Sequence, residues 1–536
     1  MPGYHREVVS DLTDLPNDVF LLIISYLSPR ENVLARRVSK AWRATFTAEY
    51  VCSQLMRWHF PRAREISAAA GATQREEYCR RSWSCIFARV ACRYFHLVSA
   101  TPRQIEKVED IVKTTAGVRT LNSDSSSLFR SVQPWDRWLS WNHHAAPFQH
   151  LDANWDLHDG LLVYPKRNAD AAASSGNSSG QYVAYNLDTK TCFPIPFDTS
   201  SRIVRRLRLT QGVLVIEWCQ RQPLYKPGDQ PAQLHFATFF DVKRSAANSA
   251  LWDISFRSEL SINHPFGLPL KNEDRFFSAH TDTHYAVYLW QPNFPPGEGE
   301  DNVALPDESL VVWDISNSQP SAVRMFTSSE LEDLGLRQGC KPTLRQILLD
   351  EKNVYVHEED HRWLVGAQSS LSTPPRHHHV RCTGIPFAGN GPHWFDECSA
   401  NGDSHMSYCP RAGSNSAATW AGFAPCWRHE EFPYLTVSDV VDKVAGVRFT
   451  ARRCFKMEAL SVSVVAPAIP GGGGTRGKDR VGPKSLGEEK EEGKEESEIR
   501  FSDEMWQQVL GRGKIAGDER WLVGEDAEGN ITVVRF

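Results

Sequence analysis

The chain has 536 residues, of which 41% are hydrophobic and 23% charged, and a formal net charge of −5. That balance describes a soluble globular protein of several domains' worth, and it excludes a global basic field for nucleic acid. The longest early apolar run, Val19–Ile24, is too short for a signal core or a membrane span, so the twelve cysteines, without a Cys-x-x-Cys pair, read as reduced thiols in the cytoplasm and/or nucleus.

The first stretch with a strong pattern is Leu12–Trp42. Leu15-Pro16 opens a helix, because a proline at the first helical position loses no hydrogen bond. Asp14 is its expected cap, and Asp18 favours the positive end of the helix dipole. Val19, Phe20, Ile23, Ile24 and Leu27 recur at steps of three and four, one wide apolar face. Ser28-Pro29 ends that helix. A second short helix carries Val33 and Leu34 inward and Arg36-Arg37 outward, and Ser39 caps a third that holds Trp42 and Phe46. Three short helices cannot bury a full core, so exposed apolar faces on such a unit predict a partner surface.

The order L-P-x-acid-V-F-x-x-I-I-x-x-L, then P-x-E, then V-S-K-x-W resembles the F-box, the helical motif that plugs a protein into a Skp–cullin–F-box ubiquitin ligase. The resemblance implies that Leu15, Pro16, Ile23, Leu27, Val38 and Trp42 face a Skp-type adaptor and, through it, a cullin–RING complex. Asn32 departs from the pattern, since the family usually has an apolar residue there, and a weakened local contact is expected.

After an F-box at residues 10–50, residues 51–98 read as a helical linker, with Tyr78, Trp83, Ile86, Phe87, Val90, Tyr94 and Phe95 roughly at helical spacing. From about residue 99 to 466 helical periods give way to short Val, Leu, Ile, Tyr and Trp runs between Gly, Asp, Asn and Pro. Internal similarity is visible. Asp159-Gly160-Leu161-Leu162-Val163-Tyr164 resembles Gln211-Gly212-Val213-Leu214-Val215-Ile216. A second pattern recurs at Asp282–Val287, Asp360–Val365 and Asp518–Val523. Tyr285–Trp290 continues into Glu308–Ile315, Trp521–Gly524 continues into Gly529–Phe536, and Gln181–Asp188 fits the same second slot. Such strand pairs resemble the central pair of a WD-repeat blade, which implies a divergent β-propeller of six to eight blades; Kelch-like blades and a β-sandwich array are the alternatives. Residues 467–498, Gly-rich and then a Glu/Lys run, are expected to be disordered, and 499–536 to supply the last propeller strands. The fold class is therefore α+β multidomain: three-helix F-box, helical linker, then a mostly-β region.

Three constellations could carry chemistry. His357-Glu358-Glu359-Asp360-His361 matches H-E-x-x-H, which binds zinc only when both histidines share a helix face. It lies between two strand-like runs and so is expected on a hairpin turn, where that geometry is lost. His393, Cys398, His405 and Cys409, with His377-His378-His379 nearby, fit no zinc spacing. Arg205, Arg206 and Arg208 lie in a strand-like run, with Arg206 and Arg208 on one face. They could capture carboxylate or phosphate of a substrate protein, or simply line a solvated edge. No catalytic residue, metal site or cofactor is assigned. The expected function is recruitment of a substrate protein to the ligase. A scaffold without a ubiquitylation target and a zinc-dependent hydrolase are the rivals.

Overall fold

The structure is a computed structural model. It describes residues 11–66, 82–108, 111, 137–141, 144–148, 153–166, 181–222, 224, 232–245, 251–262, 269–271, 274–293, 304–340, 343–363, 376–389, 394–401, 435–453, 458–464, 497–510 and 514–536. Short helices come first: Asn17–Ser25, Pro29–Ala35, Lys40–Phe46, Glu49–His59 and the longer Trp83–Val98. Everything after them is β-structure apart from two short helices, Ser328–Asp333 and Asp503–Leu510, among the described residues.

The β-structure is a six-bladed propeller. Five blades take consecutive strands, from the innermost outward. The first runs from Asp156–His158 to Thr191–Pro194, the second from Arg202–Thr210 to Trp252–Ile262, and the third from Arg275–His280 to Ser321–Phe326. The fourth runs from Leu344–Leu349 to Trp394–Asn401, and the fifth from Leu435–Asp442 to Ser497–Arg500. The sixth is built from both ends of the β-region. Ile515–Asp518, Trp521–Glu525 and Ile531–Arg535 form its three inner strands, and Gln104–Val108 adds the outermost one, antiparallel to Ile531–Arg535 from Gln104 opposite Arg535 to Val108 opposite Ile531. This closure pins the two ends of the ring together, because the strand nearest the start of the β-region completes the blade made by its end.

Turn chemistry explains why the internal similarity was visible. Asp159-Gly160 and Gln211-Gly212 each join the two innermost strands of a blade, with φ of 45° and 77° in the first and 51° and 77° in the second. Two successive positive φ angles make the tight hairpin turn whose twist matches paired strands, and they favour Asp-Gly-like dipeptides. Asp282 and Asp518 stand at the same turn of the third and sixth blades. The Asp360 copy of that pattern does not: it lies inside the strand Asn353–Trp363. The true counterpart is Asp350, whose Oδ1 accepts from the Lys352 and Asn353 amides at 2.7 and 2.6 Å. Asp350-Glu351-Lys352 parallels Asp518-Glu519-Arg520, a signal masked by the more conspicuous Arg-Trp-Leu-Val.

The His357–His361 pentad therefore lies within a strand, not on a hairpin turn. Strand positions four apart are about 13 Å apart, so the helical zinc geometry is absent there. His357 is buried, its Nδ1 3.2 Å from Gln346 Nε2. Cys398 and His377-His378-His379 fall on paired strands, whereas His393, His405 and Cys409 lie outside the described residues, as do Tyr78 of the linker and most of 467–498.

Apolar clusters run between adjacent blades. Leu161, Val163, Leu214, Ile216 and Phe240 join the first to the second, and Val215, Phe239, Tyr285 and Val287 join the second to the third. Helix and propeller share a core. Trp83–Val98 buries Ile86, Phe87 and Val90 among the N-terminal helices, while Leu97 joins Val462, Trp506 and Phe536 of the last two blades.

Candidate functional site

The N-terminal helices are assembled by caps that the sequence foreshadowed only in part. Asp11, not Asp14, caps the entry: its Oδ1 accepts from the Leu12 amide at 2.6 Å, while Asp14 Oδ2 accepts from the Asp11 amide at 3.0 Å. These two carboxylates close a capping box on the 3-10 turn Leu12–Asp14, and Pro16 precedes the first α-helix. Ser28 and Glu31 form a second capping box, and Ser39 Oγ accepts from the Trp42 amide at 3.1 Å. Trp42 stacks on Phe46 at 5.4 Å and donates its indole N–H to Asp11 Oδ1 at 2.9 Å, tying the third helix back to the entry turn.

Asn32 has a use that an apolar residue could not fill. It is fully buried, and its Nδ2 lies 3.3, 3.1 and 3.2 Å from the carbonyls of Ile24, Leu27 and Ser28. The Ile24 and Ser28 carbonyls also accept from the Leu27 and Asn32 amides, so the Asn32 side chain adds a second donor to these two and supplies one to the Leu27 carbonyl beyond the helix end. The expected weakening at this position is thus replaced by a polar clamp.

The apolar residues of Asn17–Ser25 divide between two faces. Phe20, Leu21 and Ile24 are buried; Val19, Leu22, Ile23 and, just beyond, Tyr26 are exposed, at 44%, 60%, 38% and 75%. Leu34, expected inside, is exposed, and so is Val38. Arg36, expected outside, turns inward and donates to the Ser84 carbonyl at 3.1 Å over the Phe87 ring. Of the residues assigned to an adaptor, Pro16, Ile23 and Val38 are exposed, while Leu15, Leu27 and Trp42 are half-buried against the helical core. Leu22 and Tyr26 went unassigned because a single 3.6-residue period marks one face, whereas this helix is apolar on two.

A charged joint fixes this face relative to the propeller. Arg64 lies between carboxylates of three blades, at 2.9 Å from Asp159, 3.3 Å from Asp442 and 3.5 Å from Asp518. Beside it, the buried Arg93 meets Glu65 at 2.9 Å and Glu519 at 3.1 Å, and Tyr94 donates to Glu519 at 2.9 Å. Burial raises the Glu519 pKa, and the nearby Glu65 charge adds to the rise. Burial works the same way on Asp159 and Asp518, but Arg520 and the other arginines around them outweigh it and hold both below the usual value. The propeller's partners here, Asp159, Asp442, Asp518 and Glu519, stand at the turns between first and second strands, so the helices dock on that face of the ring.

The three arginines assigned to substrate binding lie on the innermost strand of the second blade. A bulge between Val204 and Arg206 breaks the alternation, so Arg205 and Arg206 are both buried instead of facing opposite ways. Arg205 meets His235; Arg206 approaches Glu217 Oε2 at 3.4 Å and donates to Ser278 Oγ at 3.1 Å. Arg208 is half-buried. Arg205 and Arg206 are thereby engaged inside and beside the second blade rather than presented on a solvated edge.

A family model described as F-box-like matches residues 12–51. Residues 12–51 are an F-box-like domain. No curated protein matches the chain. Among solved structures it is similar to a chain in a crystal structure of the mitotic checkpoint complex, at 9% identity and a TM-score of 0.24 over 81% of this chain and 95% of that one. It is also similar to the phage phi92 endosialidase, at 10% identity and a TM-score of 0.21 over 64% of this chain and 57% of that one. Both superpositions are loose, and the propeller stands on its strand pairings instead. No helix among the described residues is long and apolar enough to cross a membrane.

Proposed function

We propose that the chain is the substrate-recruiting subunit of a Skp–cullin–F-box ubiquitin ligase. The observation that carries this reading is the open apolar face of the F-box-like domain, formed by Val19, Leu22, Ile23, Tyr26, Leu34 and Val38. So many apolar side chains left in water on so small a unit favour a protein partner, and the family supplies a Skp-type adaptor as that partner. The propeller then holds a target protein on the face away from the helices. The chain is non-catalytic in this scheme. It acts by position, raising the local concentration of a target lysine beside the charged ubiquitin carrier, in the cytoplasm and/or nucleus. The charged joint at Arg64 and Arg93 supports the reading, because a fixed distance between the two ends is what such positioning needs.

The test is co-purification with a Skp-type adaptor. The wild-type chain is expected to hold the adaptor, and a variant carrying Leu22→Asp with Tyr26→Asp on the exposed face to lose it while its thermal transition is kept. Retention by the variant, or no capture by the wild type, counts against the adaptor role.

A further inference from the structure

One hairpin does not belong to any blade's own sequence. Arg137–Trp141 pairs with His144–Phe148, and Arg137–Trp141 also pairs, in parallel, with the second strand of the fourth blade, Ser140 opposite Arg362. These residues precede the first blade in the chain. The ends of the excursion sit together there: Ile111 forms an antiparallel bridge with Lys166, and Ile111, Ala153 and Trp155 share one apolar cluster of the sixth and first blades. In a ring of six the first and fourth blades face each other across the axis. The chain therefore leaves one blade, pairs with the opposite one and returns.

The place of the hairpin follows from strand geometry. The innermost strand of the fourth blade begins at Leu344, opposite Glu358. Arg362 lies four residues further along its strand, about 13 Å beyond that start, on the face away from the F-box-like domain. Arg137–Trp141 adds to the same inner edge of Asn353–Trp363, taking above the blade the radial position that Leu344–Leu349 holds within it. His144–Phe148 is one strand further in, about 4.8 Å closer to the axis. The return leg sets an independent limit. Phe148 and Ala153 are five residues apart, so the gap between them is at most about 18 Å. A hairpin paired to the fourth blade and tethered that tightly to the first must lie over the channel. Pro147 sits on this inner strand, opposite Trp138, and removes a backbone donor from what is the free edge of the sheet.

We propose that the hairpin Arg137–Phe148 is a built-in cover for the channel mouth on the face opposite the F-box-like domain. A target on that face meets the hairpin and the rim of the blades first, and a segment that enters the channel must first part the hairpin from the fourth blade. This rests on the proposed function only in naming that face as the one that meets a target; the cover itself stands on the pairing.

Three experiments on the full chain test it without any adaptor. In a Ser140→Cys, Arg362→Cys variant, mild oxidation is expected to join the two positions, read as a linked peptide after digestion. Hydrogen exchange of the wild type supplies the second readout. The inner-edge amides of residues 359–363 are expected to be protected, and replacing 137–148 with a Gly/Ser segment to speed their exchange severalfold while the other blades are unchanged. The same replacement is expected to speed maleimide labelling of Lys514→Cys severalfold. Lys514 stands at the start of an innermost strand, its Nζ 2.9 Å from both the Trp155 carbonyl and Asp156. No linked peptide together with unchanged exchange overturns the pairing; faster exchange with unchanged labelling overturns the cover. Failure of adaptor capture touches neither result.

Discussion

The F-box-like helices and the propeller blades treat their apolar residues differently. In the second blade the strand Val213–Gln220 buries every residue from Val213 to Cys219, because each face of the blade meets another blade. In the helix Asn17–Ser25 the apolar residues are as dense, yet Val19, Leu22 and Ile23 stay in water while Phe20, Leu21 and Ile24 do not. A helix apolar all round is normally surrounded. The blades' composition is accounted for by the ring itself, whereas the helices carry a surplus that no described residue covers. That surplus, not the average hydrophobicity, marks the partner surface. The region between the two, where Arg64 and Arg93 meet carboxylates of several blades, keeps one in a fixed relation to the other.

The comparison can be broken most forcefully at the joint. Arg93→Met strands Glu65 and Glu519 as buried carboxylates, and removing one partner of such a group costs about 3–5 kcal/mol. The expected result in a denaturant melt is a large loss of stability, with the helices unfolding ahead of the blades. The open face gives an effect of comparable size, on binding alone. Leu22→Asp with Tyr26→Asp should weaken adaptor capture by about 3–6 kcal/mol, since each buried apolar side chain contributes roughly 1.5–3 kcal/mol, and leave the melt unchanged. Asn32→Ala should cost about 1–3 kcal/mol in the same melt, the range for one buried polar group, here the Leu27 carbonyl, losing its donor. The smallest effect is the pH dependence. Asp159, Asp518 and Glu65 have folded pKa values below their ordinary 3.8, 3.8 and 4.5. Their stabilisation is complete above those ordinary values and is lost as pH falls through the lowered ones. Glu519, raised from 4.5, acts in the opposite sense: its contribution is present below 4.5 and is lost as pH rises through its folded value. Melts from pH 6 down to 3 should therefore show a net fall in stability, blunted by Glu519 and diminished in Arg64→Met.

Much of this architecture could be read from residues whose meaning is local. The cap at Ser39 and the repeated dipeptides Asp159-Gly160 and Gln211-Gly212 follow from backbone requirements that few residue types satisfy, whereas Ser28, legible only as a helix end, also caps the next helix. The strand pairs of the third and sixth blades are visible through the pattern shared by Asp282–Val287 and Asp518–Val523. The blade number was not, because loop lengths vary and the closing strand Gln104–Val108 finds its partner at the far end of the chain. The two-sided helix was legible on one side only. Arg205 and Arg206 were misjudged by alternation because a bulge leaves no mark in composition. Arg64 carried no pattern at all: its partners Asp159, Asp442 and Asp518 meet only once the ring is closed.

The most direct measurement is hydrogen exchange of the full chain with and without a saturating Skp-type adaptor. The account predicts new protection confined to peptides spanning Leu15–Trp42, with exchange in the blades and at the Arg93 joint unchanged. Protection that appears on the blades instead, or none anywhere, would contradict the claim that the uncovered helical face is where the adaptor binds.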